Sequence, residues 1–97
     1  PDIYLLLQGE SSSRKGLLLA EKLRDENPRL KILSNCGGGS FKSQMKKADK
    51  SGAPIALILG EQEIADETVT VKFLREQIDQ QTISQSGLNK FIKQYQV

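Results

Sequence analysis

Leu30-Lys31-Ile32-Leu33-Ser34-Asn35-Cys36-Gly37-Gly38-Gly39-Ser40-Phe41-Lys42 is the stretch whose reading decides the fold. An apolar run at 30–33 leads into three successive glycines, and a helical pattern at 41–51 leaves them. This is a strand-to-helix turn. Glycine allows positive φ and close backbone approach, at an entropic cost that a plain turn need not carry three times over. Ser40 stands where a helix N-cap belongs. The unpaired N–H groups of that helix point back over the glycines, and such an end attracts anions, phosphate included. Two readings stay open: a tight connection, or an anion-binding turn. Neither well-known phosphate loop is present, because no Lys-Ser/Thr follows a spaced glycine pair and there is no G-x-G-x-x-G.

Outward from the turn, the pattern alternates. Upstream, Ile3-Tyr4-Leu5-Leu6-Leu7 is short and apolar at every position, as in a strand buried on both faces. Ser11, Ser12 and Ser13 offer caps to a helix in which Gly16, Leu19, Ala20 and Leu23 share one face. Asn27-Pro28 ends it, since the residue before proline avoids the helical region. Downstream, Phe41, Met45 and Ala48 form a stripe on the second helix, and Gly52 and Pro54 stop it. Ile55-Ala56-Leu57-Ile58-Leu59 reads as the central strand. A β-α-β-α-β order predicts parallel strands with right-handed crossovers.

The last third differs. Val69, Val71 and Phe73 alternate with Thr68, Thr70, Lys72 and Leu74, which predicts a strand with one exposed face. A polar turn at 75–79 leads to a short strand at 80–84, and the two pair as an edge hairpin, making the sheet mixed. Ser86 caps a final helix lined by Leu88, Phe91, Ile92 and Tyr95. The expected fold is α/β, three layers, with a five-stranded mixed sheet and three helices.

The 97 residues make one domain, long enough to bury roughly 60–65% of its unfolded surface. Hydrophobic residues are 37% and charged residues 27%, ordinary for a soluble domain. No apolar run nears the roughly 18 residues of a membrane span, and the N-terminus has no signal-peptide pattern. Pro1 in place of methionine reads as a piece cut from a longer protein. One cysteine cannot form an internal disulfide, which points to a reducing, cytoplasmic setting. The absence of histidine removes the commonest general base and metal ligand, and with one cysteine it excludes Cys/His zinc patterns.

Charge is segregated although the net is only +2. Lys42, Lys46 and Lys50 fall at i, i+4, i+8 with Lys47 beside them, while Glu61, Glu63, Asp66 and Glu67 crowd one later loop. The ligand rim of an open α/β sheet lies beyond the carboxyl ends of its parallel strands. Those ends carry Gln8-Gly9-Glu10, residues 35–39 and Gly60-Glu61-Gln62-Glu63. The lysine ridge is either a solvated face or a set of phosphate contacts. Glu61 and Glu63 are a solvated loop, an acid–base or metal pair, or acceptors for a base amino group; no metal-ligand spacing accompanies them. Lys72 either guards an edge strand or reaches toward the same rim. Phe41 is a core residue or a stacking platform. Cys36 has no base to activate it as a nucleophile.

Six segments then carry a family likeness in one order: Asp2-Ile3-Tyr4-Leu5, Ala20-Glu21-Lys22-Leu23-Arg24, Asn35-Cys36-Gly37-Gly38-Gly39-Ser40-Phe41-Lys42, Ala48-Asp49-Lys50-Ser51-Gly52-Ala53, Leu59-Gly60-Glu61-Gln62-Glu63 and Val71-Lys72-Phe73-Leu74-Arg75. The chain resembles, over nearly its whole length, the C-terminal anticodon-binding domain of bacterial-type histidyl-tRNA synthetases, of class IIa. The resemblance implies a single anticodon-binding domain over 1–97, and a five-stranded mixed sheet with three helices. It also implies an N-terminal catalytic domain, absent here, that joins histidine to tRNA with ATP and Mg2+. No catalytic residue, metal site or cofactor is expected in this chain. The implied partners are the anticodon stem-loop of the histidine tRNA, the catalytic domain, and a second copy in a full-length homodimer, with no membrane. Related domains take their base contacts from three places, which here are 35–39, 61–65 and 72–75. The RNA-binding candidates are Asn35, Gly37, Gly38, Gly39, Lys42, Lys46, Glu61, Glu63, Lys72 and Arg75. Some related synthetases hold arginine where this chain has Gln44 and Leu74. Two other functions fit the same residues: a regulatory synthetase-like paralogue, or an α/β domain that binds a small phosphorylated ligand at Gly37 to Gly39.

Overall fold

The structure is a computed structural model. It describes residues 2–8, 10–34 and 40–95, apart from the side chains of 10–13, 41 and 95. Five strands lie in the order β2-β1-β3-β4-β5, with β1 (Ile3–Leu7), β2 (Ile32–Ser34), β3 (Ile55–Leu59), β4 (Thr68–Phe73) and β5 (Gln81–Ser84). β1 runs parallel to both β2 and β3, while β4 is antiparallel to β3 and β5, so the sheet is mixed as expected.

The helices are α1 (Glu10–Glu26), α2 (Phe41–Ser51), α3 (Glu61–Asp66) and α4 (Leu88–Tyr95). They cover both faces. On one face, Ile3, Leu5 and Leu7 of β1, Leu57 and Leu59 of β3, and Val69 and Val71 of β4 pack with Ala20 and Leu23 of α1 and Leu88 and Ile92 of α4. Phe73 adds a tilted ring contact to Phe91, with centroids 6.2 Å apart. On the other face Tyr4, Leu6, Ala56 and Ile58 pack beneath α2 through Ala48, with Met45 partly buried. That side is thinner and rich in alanine, so α2 sits close to the sheet.

Several local rules account for the boundaries. Ser40 accepts from the Ser43 N–H at 3.1 Å and caps α2, and Gly52 closes that helix at φ 84° in the left-handed region. Gly16 lies against β1, where a Cβ would come within 2.2 Å of Leu7 Cδ2. The mid-helix glycine is therefore the condition for α1 to approach the sheet. Asn27 ends α1, and its side-chain amide donates to the Leu23 carbonyl at 3.1 Å and to Asn89 Oδ1 of α4 at 2.7 Å. Arg24 donates to the outward carbonyl of Ile32 at 2.9 Å, which shields the free edge of β2.

Five expectations shift. The stretch at 61–66 is a short helix, not a loop: the Glu63 carboxylate accepts from the Gly60 N–H at 2.8 Å and starts it. β2 begins at Ile32, because the Lys31 carbonyl accepts from both Asp2 and Ile3. α1 already includes Ser11, Ser12 and Ser13 instead of starting after them. The cap before α4 is Ser84, which accepts from the Gly87 N–H at 3.1 Å through a single 3-10 turn at Gln85–Gly87, and not Ser86. Thr70, expected on an exposed face, is buried.

Candidate nucleic-acid interface

α2 covers β1 and β3 on its side of the sheet but leaves the β4–β5 half of that face open. The register fixes which residues face outward there. Ala56 pairs with Lys72 and Ile58 with Thr70, then Thr70 with Thr82 and Thr68 with Ser84. Since Ala56 and Ile58 lie under α2, their partners lie beside it. The strip on that face is thus Thr68, Thr70, Lys72, Thr82 and Ser84, hydroxyl-rich with one cation, and Thr70 alone of the five is buried. Thr82 and Ser84 are exposed, Thr68 and Lys72 half-buried.

Lys42, Lys46, Lys47 and Lys50 are all exposed along α2. Eight residues of helix separate Lys42 from Lys50, about 12 Å of rise. The ridge runs from the carboxyl ends of the parallel strands toward their amino ends. Lys72 lies at the far end of this run. The expectation that it reaches the strand-end rim is corrected by strand direction: β4 starts at the rim and, being antiparallel, carries Lys72 away from it to a position opposite Ala56. The edge-guarding reading fits its place: β5 pairs with β4 from Thr68 to Val71 and stops short of Lys72. Arg75 is at that same far end, where its guanidinium contacts Asp49 of α2.

Glu61 and Glu63 belong to the rim, in the first turn of α3. Glu61 is exposed. One Glu63 oxygen is engaged by the Gly60 N–H, and Gly60 is enclosed: a Cβ on it would lie 2.9 Å from Glu63 Oε1 and 3.3 Å from Gln8 Oε1. Asn35, Cys36, Gly37, Gly38 and Gly39 lie outside the described residues, as does the side chain of Phe41. Of the ten candidates, the structure thus gathers Lys42, Glu61 and Glu63 toward the rim and Lys72 and Arg75 at the other end, with Lys46 between them.

The residue whose role sequence reasoning missed is Gln44. It is 2% exposed, in the middle of an otherwise cationic helix. Its Oε1 accepts from the Leu7 N–H at 3.2 Å and its Nε2 donates to the Leu7 carbonyl at 3.1 Å. The backbone explains the need. Gln8 donates to Leu59 on the β3 side and Ile3 to Lys31 on the β2 side, so by alternation Leu7 faces β2. The paired part of β2 ends with Ser34 opposite Leu5. The Gln44 amide, with its acceptor and donor side by side, stands in for a further strand residue.

The described acidic side chains include no cluster of three or more that could hold a metal ion. No described helix is long and apolar enough to cross a membrane. An open groove between α1 and the 3-10 turn, lined by Lys15, Leu18, Leu19, Lys22, Gln85 and Ser86, belongs to the opposite side of the sheet.

Comparison with known proteins agrees with this geometry. The family model described as "Anticodon binding domain" matches residues 4–95. A histidine–tRNA ligase of Hydrogenovibrio crunogenus is 53% identical over 83 residues, covering 86% of this chain and 20% of its own length. The chain therefore spans about a fifth of that relative. Apo histidyl-tRNA synthetase of S. aureus superposes with a TM-score of 0.83 at 26% identity, over 95% of this chain and 23% of the synthetase. Histidyl-tRNA synthetase of Nostoc sp. PCC 7120 shares the fold at TM-score 0.88 and 21% identity, over 99% of this chain and 22% of that one. The RNA binding domain of a Cryptosporidium parvum threonyl-tRNA synthetase also shares the fold, at TM-score 0.87 and 14% identity, over 96% of this chain and 23% of that one. With a mixed five-stranded sheet, a lysine-bearing helix beside its open half and a family match across all but its ends, this chain belongs to the anticodon-binding domain family.

Proposed function

We propose that this chain grips the anticodon stem-loop of the histidine tRNA, as one domain of a histidine–tRNA ligase. The observation that carries the reading is the 53% identity to such a ligase across 86% of the chain. The geometry supplies a mechanism. Lys42, Lys46, Lys47 and Lys50 form a ridge for phosphates, and counterion release on binding makes that grip salt-dependent. α2 has no acidic residue in its first turn, whereas α3 has two, so the helix end nearest the glycine turn stays electropositive. Splayed anticodon bases are then read by backbone N–H groups at 35–39, by the amide of Asn35, and by carboxylates such as Glu61 accepting from exocyclic amines.

In this reading the chain performs no chemistry itself. A catalytic domain elsewhere in the full enzyme, with ATP and Mg2+, attaches histidine to the tRNA, and the enzyme works as a cytoplasmic homodimer. Two variants test the division of labour. Lys46→Ala is expected to weaken binding equally for every anticodon and lower the salt slope by about 1. Glu61→Ala is expected to relax base preference by about 1–3 kcal/mol while leaving the salt slope unchanged. Equal loss for all anticodons on Glu61→Ala removes Glu61 from base reading. Millimolar binding of a mononucleotide without RNA would favour the small-ligand function.

A further inference from the structure

Arg75 has the charge of an RNA contact, yet its guanidinium is directed at protein. Nη1 donates to Asp49 Oδ1 at 3.1 Å, and Nη2 donates to the main-chain carbonyl of the same residue. That carbonyl is among the last four of α2, which have no regular intrahelical partner. The N–H four residues on, from Ala53, is diverted to Ser51 Oγ at 3.2 Å, and Ser51 in turn donates to the Ala48 carbonyl at 2.6 Å. Next to Arg75, the Leu74 N–H donates to Pro54 at 2.9 Å, tying the end of β4 to the segment that leaves α2. The exit end of α2 is thus held from β4, as its first half is held from β1 by Gln44. The exposed lysines lie along the helix between and around these two anchors.

We propose that Arg75 is a positioning residue for RNA binding: it fixes the lysine-bearing helix α2 against the sheet and does not itself contact phosphate. The inference rests on the tRNA reading above. A planar fork that serves a carboxylate and a carbonyl of one residue uses the geometry of arginine, not merely its charge. Lysine keeps the charge and loses the fork. A helix held at two points presents its cations already ordered, so less freedom is lost when RNA binds.

The test uses the 97-residue protein, Arg75→Ala and Arg75→Lys, each checked for an intact thermal transition. Affinity for a histidine-tRNA anticodon stem-loop is measured across a salt series, and amide exchange at residues 48–53 is followed in the free proteins. Both variants are expected to weaken binding about two- to fivefold, the range set by an exposed arginine–carboxylate pair, with the salt slope unchanged. Both are expected to speed exchange at 48–53. The inference is overturned if Arg75→Lys binds like the parent while Arg75→Ala lowers the slope by about 1, which marks a phosphate contact. It is overturned equally if both variants bind like the parent, or if exchange at 48–53 is unchanged in Arg75→Ala. Failure of the parent protein to bind the stem-loop is a different result, and refutes the tRNA reading itself.

Discussion

Replacing Gln44 by methionine isolates the contact that seats α2. Methionine nearly matches glutamine in length and fills the same buried space, so packing is preserved while both hydrogen bonds to Leu7 vanish. Two buried backbone groups are left without that partner, at about 1–3 kcal/mol each. Burying a thioether instead of an amide returns about 1–2 kcal/mol. The net expectation is a loss of about 2–3 kcal/mol. A domain of this size is stable by about 5–15 kcal/mol, so the loss is large, and it corresponds to a fall in Tm of about 10–20 °C. Urea unfolding followed by circular dichroism measures it, with a lower midpoint and an unchanged m-value. Gln44→Glu adds a signed control. Protonated, the new carboxyl donates to the Leu7 carbonyl and accepts from its N–H; ionised, it can only accept. Its folded pKa therefore lies above the unfolded value of about 4.3. Its contribution is fully present below that unfolded value and is lost as pH rises through the folded one. Relative to the parent, Gln44→Glu should be least stable near neutrality and recover in acid. A Gln44→Met protein within about 0.5 kcal/mol of the parent would refute the idea that this amide completes the sheet.

Gly16→Ala sets helix propensity against space. The gain of about 1 kcal/mol in propensity meets an overpacking cost of about 1–3 kcal/mol from the 2.2 Å approach to Leu7, so urea unfolding should show a net loss of about 1 kcal/mol. In a Leu7→Ala background the same change should become neutral or stabilising, and a persistent loss would locate the obstacle elsewhere. Glu63→Ala removes the acceptor for the Gly60 N–H and should cost about 0.5–2 kcal/mol, with Glu63→Gln retaining most of the stability; thermal unfolding of the two variants decides it.

The sequence carried the sheet because its two buried strands are apolar at every position and its helices have clear stops at Asn27-Pro28 and Gly52. It carried Ser40 as a cap for the same kind of reason, a local one. What escaped depended on partners distant in the chain. Gln44 looks like an ordinary polar residue of a cationic helix, and only its place one turn before Ala48, on the buried face, hints at its role. The position of Lys72 follows from strand direction: alternation says which face a residue takes, not which end of the sheet it occupies. The α3 helix had a readable signal, a glycine followed three residues later by glutamate, but a crowd of acids in six residues looks like solvated loop. Thr70 is buried with Ile58 of β3 on one side and Thr82 of β5 on the other, which no run of alternating residues reveals.

The most direct measurement is binding of this chain to a histidine-tRNA anticodon stem-loop and to the same hairpin with a scrambled anticodon, at two salt concentrations. The account predicts tighter binding of the true anticodon, and a loss of affinity for both hairpins as salt rises. Equal affinity for the two hairpins, or no binding to either at low salt, would contradict it.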